Sequence, residues 1–139
     1  MYHILIVDDE SRIRAIIRKY AEFEGHKVTE AGDGMEAVIL CRKETYDLII
    51  MDEPSSALDP VAEYELNHSI LNAADSCDRT VIFISHRLST TRFADRIFLF
   101  ANGELSEQGS HDELIAMNGK YAEMFGMQAE RYRRGESVL

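Results

Sequence analysis

The sequence predicts an α/β fold: a doubly wound parallel sheet in the flavodoxin-like order 2-1-3-4-5, with an antiparallel edge strand added by a C-terminal hairpin. Three observations predict it. Short, wholly apolar runs such as "ILIV" (residues 4–7) and "LIIM" (48–51) suit strands covered on both faces. These runs alternate with stretches of helical periodicity. Polar residues close the runs, and right-handed crossovers gather such C-terminal strand ends on one rim.

The elements follow in order. Residues 4–7 form the first strand. Residues 11–24 carry Ile13, Ile16, Ile17, Tyr20 and Ala21 at helical spacing, and Gly25 can close that helix in the left-handed conformation. Residues 27–31 form a second strand. Asp33-Gly34 opens a helix to about Glu44, and residues 48–51 form the third strand. Asp59 as N-cap and Pro60 at the first helical position start another helix, with Val61, Tyr64, His68 and Leu71 as its inner face. Residues 81–84 and 97–100 are the fourth and fifth strands, with a short helix over 87–94 between them. Asn102-Gly103 is a strong hairpin signal, so residues 104–108 should run back antiparallel to the fifth strand. Ser110 and Glu113 make a capping box for a helix to about Asn118. Gly119 interrupts it. A last helix turns Tyr121, Met124 and Phe125 inward, and residues 131–139 form a frayed tail.

A chain of 139 residues with 45% apolar content can bury one core, so a single domain is expected. It is acidic throughout: residues 1–52 carry seven bases and eleven acids, and residues 53–139 carry eight and fourteen. No basic block recommends nucleic acid or an anionic membrane as partner. No apolar run nears the roughly 20 residues that span a bilayer. The N-terminus enters a strand at once, leaving no room for a signal peptide. Cys41 and Cys77 stand far apart without metal-ligand spacing and read as reduced thiols of a cytoplasmic protein. A monomer or weak homodimer without a specific partner is expected.

The chemistry lies at the strand ends: Asp8 and Asp9 after the first strand, Asp52 after the third, Ser85 and His86 after the fourth. An aspartate closing a buried strand can accept a phosphoryl group, or it can hold the magnesium of a bound nucleotide. Three carboxylates on one rim suit a hard divalent cation with positions left open for water or phosphate oxygens. Capping of the first helix by Asp8 or Asp9 is the alternative use of the acidic pair.

Residues 1–52 resemble the first half of a response-regulator receiver domain, through "ILIVDDE", "HKVTEAGDGMEAV" and "YDLIIMD". That resemblance implies magnesium at Asp8, Asp9 and Asp52, with Asp52 as phosphoacceptor and Ser85 as the hydroxyl beside it. Residues 47–139 resemble the C-terminal part of an exporter-type ABC transporter nucleotide-binding domain. "LIIMDEP" is similar to a Walker B strand, "SALD" to a D-loop and "ISHRLST" to a switch-histidine loop. The stretch "ADRIFLFANGELSEQGSHDELIAMNGKYAEMF" is similar to the end of such a domain. This second resemblance implies that Glu53 polarises an attacking water and that His86 senses a γ-phosphate. The two overlap only in "DLIIMD". The chain therefore reads as an engineered chimera, a receiver-derived fragment (1–52) joined to an ABC ATPase-derived fragment (53–139), with no cellular function of its own.

Each chemistry lacks parts. No G-x-x-x-x-G-K-[ST] run exists to cradle a triphosphate, and "CRKETYDLII" stands where an ABC signature loop would be. No ATP binding and no enzymatic activity are expected, and Glu53 and His86 read as remnants. The receiver site lacks its lysine after the fifth strand, where Phe100, Ala101 and Asn102 stand. Weak magnesium binding can survive that loss; phosphorylation at Asp52 is the alternative reading, and an inactive ATP-binding fragment is a further one.

Overall fold

A computed structural model of the chain describes residues 1–52, 61, 65, 68–69, 79–85 and 88–135. The sequence leads one to expect one domain; the chain folds as two compact units, Met1–Ile84 and Ser85–Leu139.

The first unit contains β1 (His3–Val7), α1 (Ser11–Phe23), β2 (Lys27–Ala31), α2 (Gly34–Lys43), β3 (Leu48–Asp52) and β4 (Thr80–Ile84). The strands are all parallel, in the order β2-β1-β3-β4. Strand alternation sorts the apolar run of β1 onto two faces. Leu5 and Val7 join Ile49, Met51, Ala31 and the α2 residues Ala37, Val38 and Cys41 in one core. Ile4 and Ile6 join Val28, Ile50 and the α1 residues Ile17 and Ala21 in the other. A helix on each face is the doubly wound arrangement, and it explains why β1 has no polar side chain after His3. Burying a side chain such as Leu5 or Ile49 completely contributes about 2 kcal/mol.

Local chemistry sets the helix ends. Asp33 accepts from the Glu36 N–H at 2.8 Å and starts α2. Gly25 takes φ +86° and returns its N–H to Glu22, which stops α1. The expected inner face of α1 narrows: Ile17 and Ala21 pack on the sheet, whereas Ile16 and Tyr20 are exposed. Of the helix expected after Pro60, the described residues 61, 65, 68 and 69 are helical. Val61 and His68 are exposed rather than inward. Four apolar or aromatic positions leave the phase of a short helix open, and a histidine ring is readily hydrated. Asp59, Pro60, Tyr64 and Leu71 lie outside the described residues, as do Glu53, Cys77 and His86.

The second unit contains α3 (Leu88–Thr91), β5 (Ile97–Ala101), β6 (Glu104–Gly109), α4 (His111–Met117) and α5 (Lys120–Arg133). β5 and β6 pair antiparallel in a sheet of their own. This corrects the expected five-strand order: the parallel sheet has four described strands, and β5 is not its fifth. The physical reason is local. Asn102 at φ +54° and Gly103 at φ +76° form a two-residue hairpin turn, so β6 meets β5 at almost no loop-closure cost. Ile97 and Leu99 then face a core built by Leu88, Leu114, Tyr121, Met124 and Phe125 of the same unit.

Caps and one buried polar chain complete this unit. Ser110 accepts from the Glu113 N–H, and Asn118 ends α4 in the left-handed conformation. The Glu107 carboxylate accepts from the N–H groups of Lys120 and Tyr121, supplying α5 with the negative charge its N-terminus favours. Tyr121 is fully buried, and its hydroxyl lies 2.8 Å from Thr91 Oγ1 and 2.9 Å from His111 Nδ1. Thr91 gives its one hydroxyl proton to the Leu88 carbonyl. Tyr121 must therefore donate to Thr91, and His111 Nδ1–H to Tyr121.

Candidate functional site

The register that builds the sheet also builds the rim. Val7 is the partner of Met51, so Asp8 and Asp52 close neighbouring strands side by side. Asp52 is in turn the partner of Ile84 on β4, and Ser85 is the residue after Ile84.

Asp8 is the most constrained residue of the rim, at 4% exposure. Its N–H donates to the Ala31 carbonyl at 3.2 Å. Its carbonyl accepts from Arg14 Nη1 at 2.6 Å, and its Oδ1 accepts from the Glu10 N–H at 2.8 Å. Its Oδ2 is buried with no hydrogen-bond partner. Burial is the main cause that pushes the Asp8 carboxyl above the usual range. The Glu10 N–H opposes this, while the neighbouring Asp9 side chain and the charge of Asp52 add to it. Asp9 and Asp52, both named from sequence, thus lie near enough to act on the Asp8 carboxyl. An orphaned oxygen beside two further anions is a donor set that fits a hard cation. Among the described residues, no three His, Cys, Asp or Glu side chains stand close enough together to hold a metal ion as placed. Glu53 and His86 lie outside the described residues. Ser85 has partners within the protein.

Sequence reasoning missed Arg14 and Glu30. Arg14 Nε donates to Glu30 Oε1 at 3.2 Å while Nη1 holds the Asp8 carbonyl. Arg18 Nη1 donates to the other oxygen, Glu30 Oε2, at 2.5 Å. These bonds hold the Glu30 carboxyl below its usual range, Arg18 first among the causes. The available signal was positional. Arg14 shares its helical face with Ile17 and Ala21, and a charge among inward positions calls for a partner.

Four parallel strands wound on both faces, with carboxylates at the carboxyl ends of β1 and β3, define a flavodoxin-like α/β protein. Residues 4–117 match the response regulator receiver domain, and the chain belongs to that family.

It is also similar to ABC transporter proteins. The cyclolysin secretion/processing ATP-binding protein CyaB of Bordetella pertussis is 50% identical over 84 residues, which is 59% of this chain and 11% of that protein. The ATP-dependent lipid A-core flippase of Mannheimia succiniciproducens is 43% identical over 81 residues, 58% of this chain and 14% of that protein. Among solved structures, an ATP-bound bacterial Atm1-family ABC exporter is 39% identical with a TM-score of 0.52, covering 61% of this chain and 14% of the exporter. The chain thus spans a small fraction of these relatives. The receiver match and an 84-residue match to a transporter cannot both fit in 139 residues without sharing some. No helix among the described residues is long and apolar enough to cross a membrane.

Proposed function

We propose that this chain is an engineered chimera of receiver and ABC-ATPase fragments, a folded scaffold without catalytic activity or a cellular role, which binds a divalent cation weakly at Asp8, Asp9 and Asp52. The observation that carries the binding reading is the orphaned, buried Oδ2 of Asp8 beside two further carboxylates. Like charges at the three positions repel, and magnesium would neutralise that repulsion. Asp8 offers Oδ2 from a fixed backbone, and Asp52 and Asp9 close in from β3 and the β1–α1 turn. The chimera reading is supported by family membership over residues 4–117 together with 50% identity to a transporter ATP-binding protein. The scaffold is soluble, belongs in the cytoplasm of a producing cell, takes no ATP and has no specific partner. It is a monomer or a weak homodimer.

Magnesium titration followed by thermal melting tests the site, with wild type compared with Asp52→Asn and a phosphate mimic added last. The reading expects a magnesium-dependent rise in Tm that Asp52→Asn abolishes. An absent rise, or an equal rise in Asp52→Asn, rejects it.

A second reading keeps phosphoacceptor chemistry at Asp52. The register pair Asp52 and Ile84, with Ser85 following, favours it. Stable incorporation of phosphate from a small phosphodonor, lost in Asp52→Asn, would establish it over the first.

A further inference from the structure

Asp8 has one polar atom without a partner. Its N–H, carbonyl and Oδ1 are each engaged, by Ala31, Arg14 and Glu10 respectively. Only Oδ2 is left. The direction of Oδ2 is therefore set by the backbone bonds on either side of the residue and by the Glu10 N–H. Two of these three are contacts within β-sheet or turn backbone. The third comes from a side chain on α1, and that side chain is itself held from β2. Arg14 is suited to this because one planar guanidinium can donate in two directions at once. Nη1 reaches the Asp8 carbonyl, and Nε reaches Glu30.

We propose that Arg14, clamped by Glu30, is a positioning residue for cation binding: it fixes the Asp8 carbonyl and so aims the free Asp8 Oδ2 at the cation. The inference rests on the cation reading of the rim. Arg14 points its charge at a neutral carbonyl and is balanced by Glu30, so it orients a ligand without competing for the carboxylates. Arg18 holds the other Glu30 oxygen, so Glu30 keeps one partner that does not depend on Arg14. Groups that orient a metal ligand without touching the metal commonly change affinity about tenfold or more when removed.

The test is magnesium titration of the full chain, read as the rise in Tm, for wild type, Arg14→Lys, Glu30→Gln and the double variant. Lysine keeps the charge but cannot serve the Asp8 carbonyl and Glu30 in fixed directions together. Arg14→Lys and Glu30→Gln should each raise the magnesium concentration for half-maximal effect by about tenfold. The double variant should be no worse than Arg14→Lys alone, because both changes open one clamp. Unchanged magnesium midpoints with a lower metal-free Tm make the pair a structural brace only and overturn the proposal. A wild type without any magnesium response overturns the cation reading itself, and the clamp with it. Should Arg14→Lys fold poorly, Glu30→Gln, which leaves the donor to Asp8 in place, carries the same comparison.

Discussion

Asp8 and Asp52 end adjacent parallel strands, and burial first, with the charge of Asp52 added to it, makes Asp8 harder to ionise. Two anions brought together by sheet register are a cost that the free protein bears. Asp52→Asn should therefore raise stability without metal while removing the magnesium response. For wild type, tenfold excess of magnesium over Kd should add about 1.4 kcal/mol through linkage. Denaturant melts with and without magnesium give both quantities. A metal-free stability that falls in Asp52→Asn would contradict the repulsion argument.

Glu30 yields a pH prediction. Its folded carboxyl is held below its unfolded value by Arg18 and Arg14, so the unfolded state binds more protons in the acidic range. The stabilisation is present above the ordinary glutamate range and is lost as pH falls through the folded value. Glu30→Gln should lower stability at neutral pH and flatten the acid limb of the profile. Added salt should shrink the difference, since the Arg18 side of the pair is solvent-exposed.

Tyr121→Phe tests the proton order in the second unit. The change leaves Thr91 Oγ1 without its donor and His111 Nδ1–H without its acceptor. A cost of about 1–3 kcal/mol is expected for groups left unpaired at a buried site. Leu114→Ala, which only removes packing, should cost about 2–5 kcal/mol. Urea midpoints for the two variants check both figures, and a Tyr121→Phe variant as stable as wild type would break the proposed chain of donors.

Gly103→Ala should destabilise the hairpin by about 1–2 kcal/mol, because φ +76° is strained for any residue with a Cβ. A Cβ there meets no atom within 4 Å, so the cost is backbone strain alone. Gly103→Asn should recover part of it, asparagine tolerating the left-handed region.

Nucleotide chemistry should be absent. ATP turnover is expected at background, with no saturable ATP binding, because no G-x-x-x-x-G-K-[ST] run is present in the sequence. Equilibrium dialysis with ATP and magnesium checks the binding. Saturable binding altered by Glu53→Gln or His86→Ala would reverse the conclusion.

Much of this protein was legible in one dimension. The apolar runs at Ile4 and Leu48, the cap at Asp33, the Gly25 stop and the Asn102-Gly103 turn are local signals, and each is realised because short-range sterics and hydrogen bonds decide it. The acidic rim was legible too, since strand ends fall on one side once crossovers are right-handed. Tertiary structure alone decided three things. It placed the division after Ile84, because Thr80–Ile84 pairs with β3 and so joins the first unit's sheet. It kept β5 out of that sheet, because Ile97 and Leu99 find a core with Leu114 and Tyr121, and β6 supplies the hydrogen bonds. It also brought Glu30, sixteen residues away, onto Arg14. Pairings of that kind depend on how strands and helices are laid side by side, and no periodicity within one element encodes them.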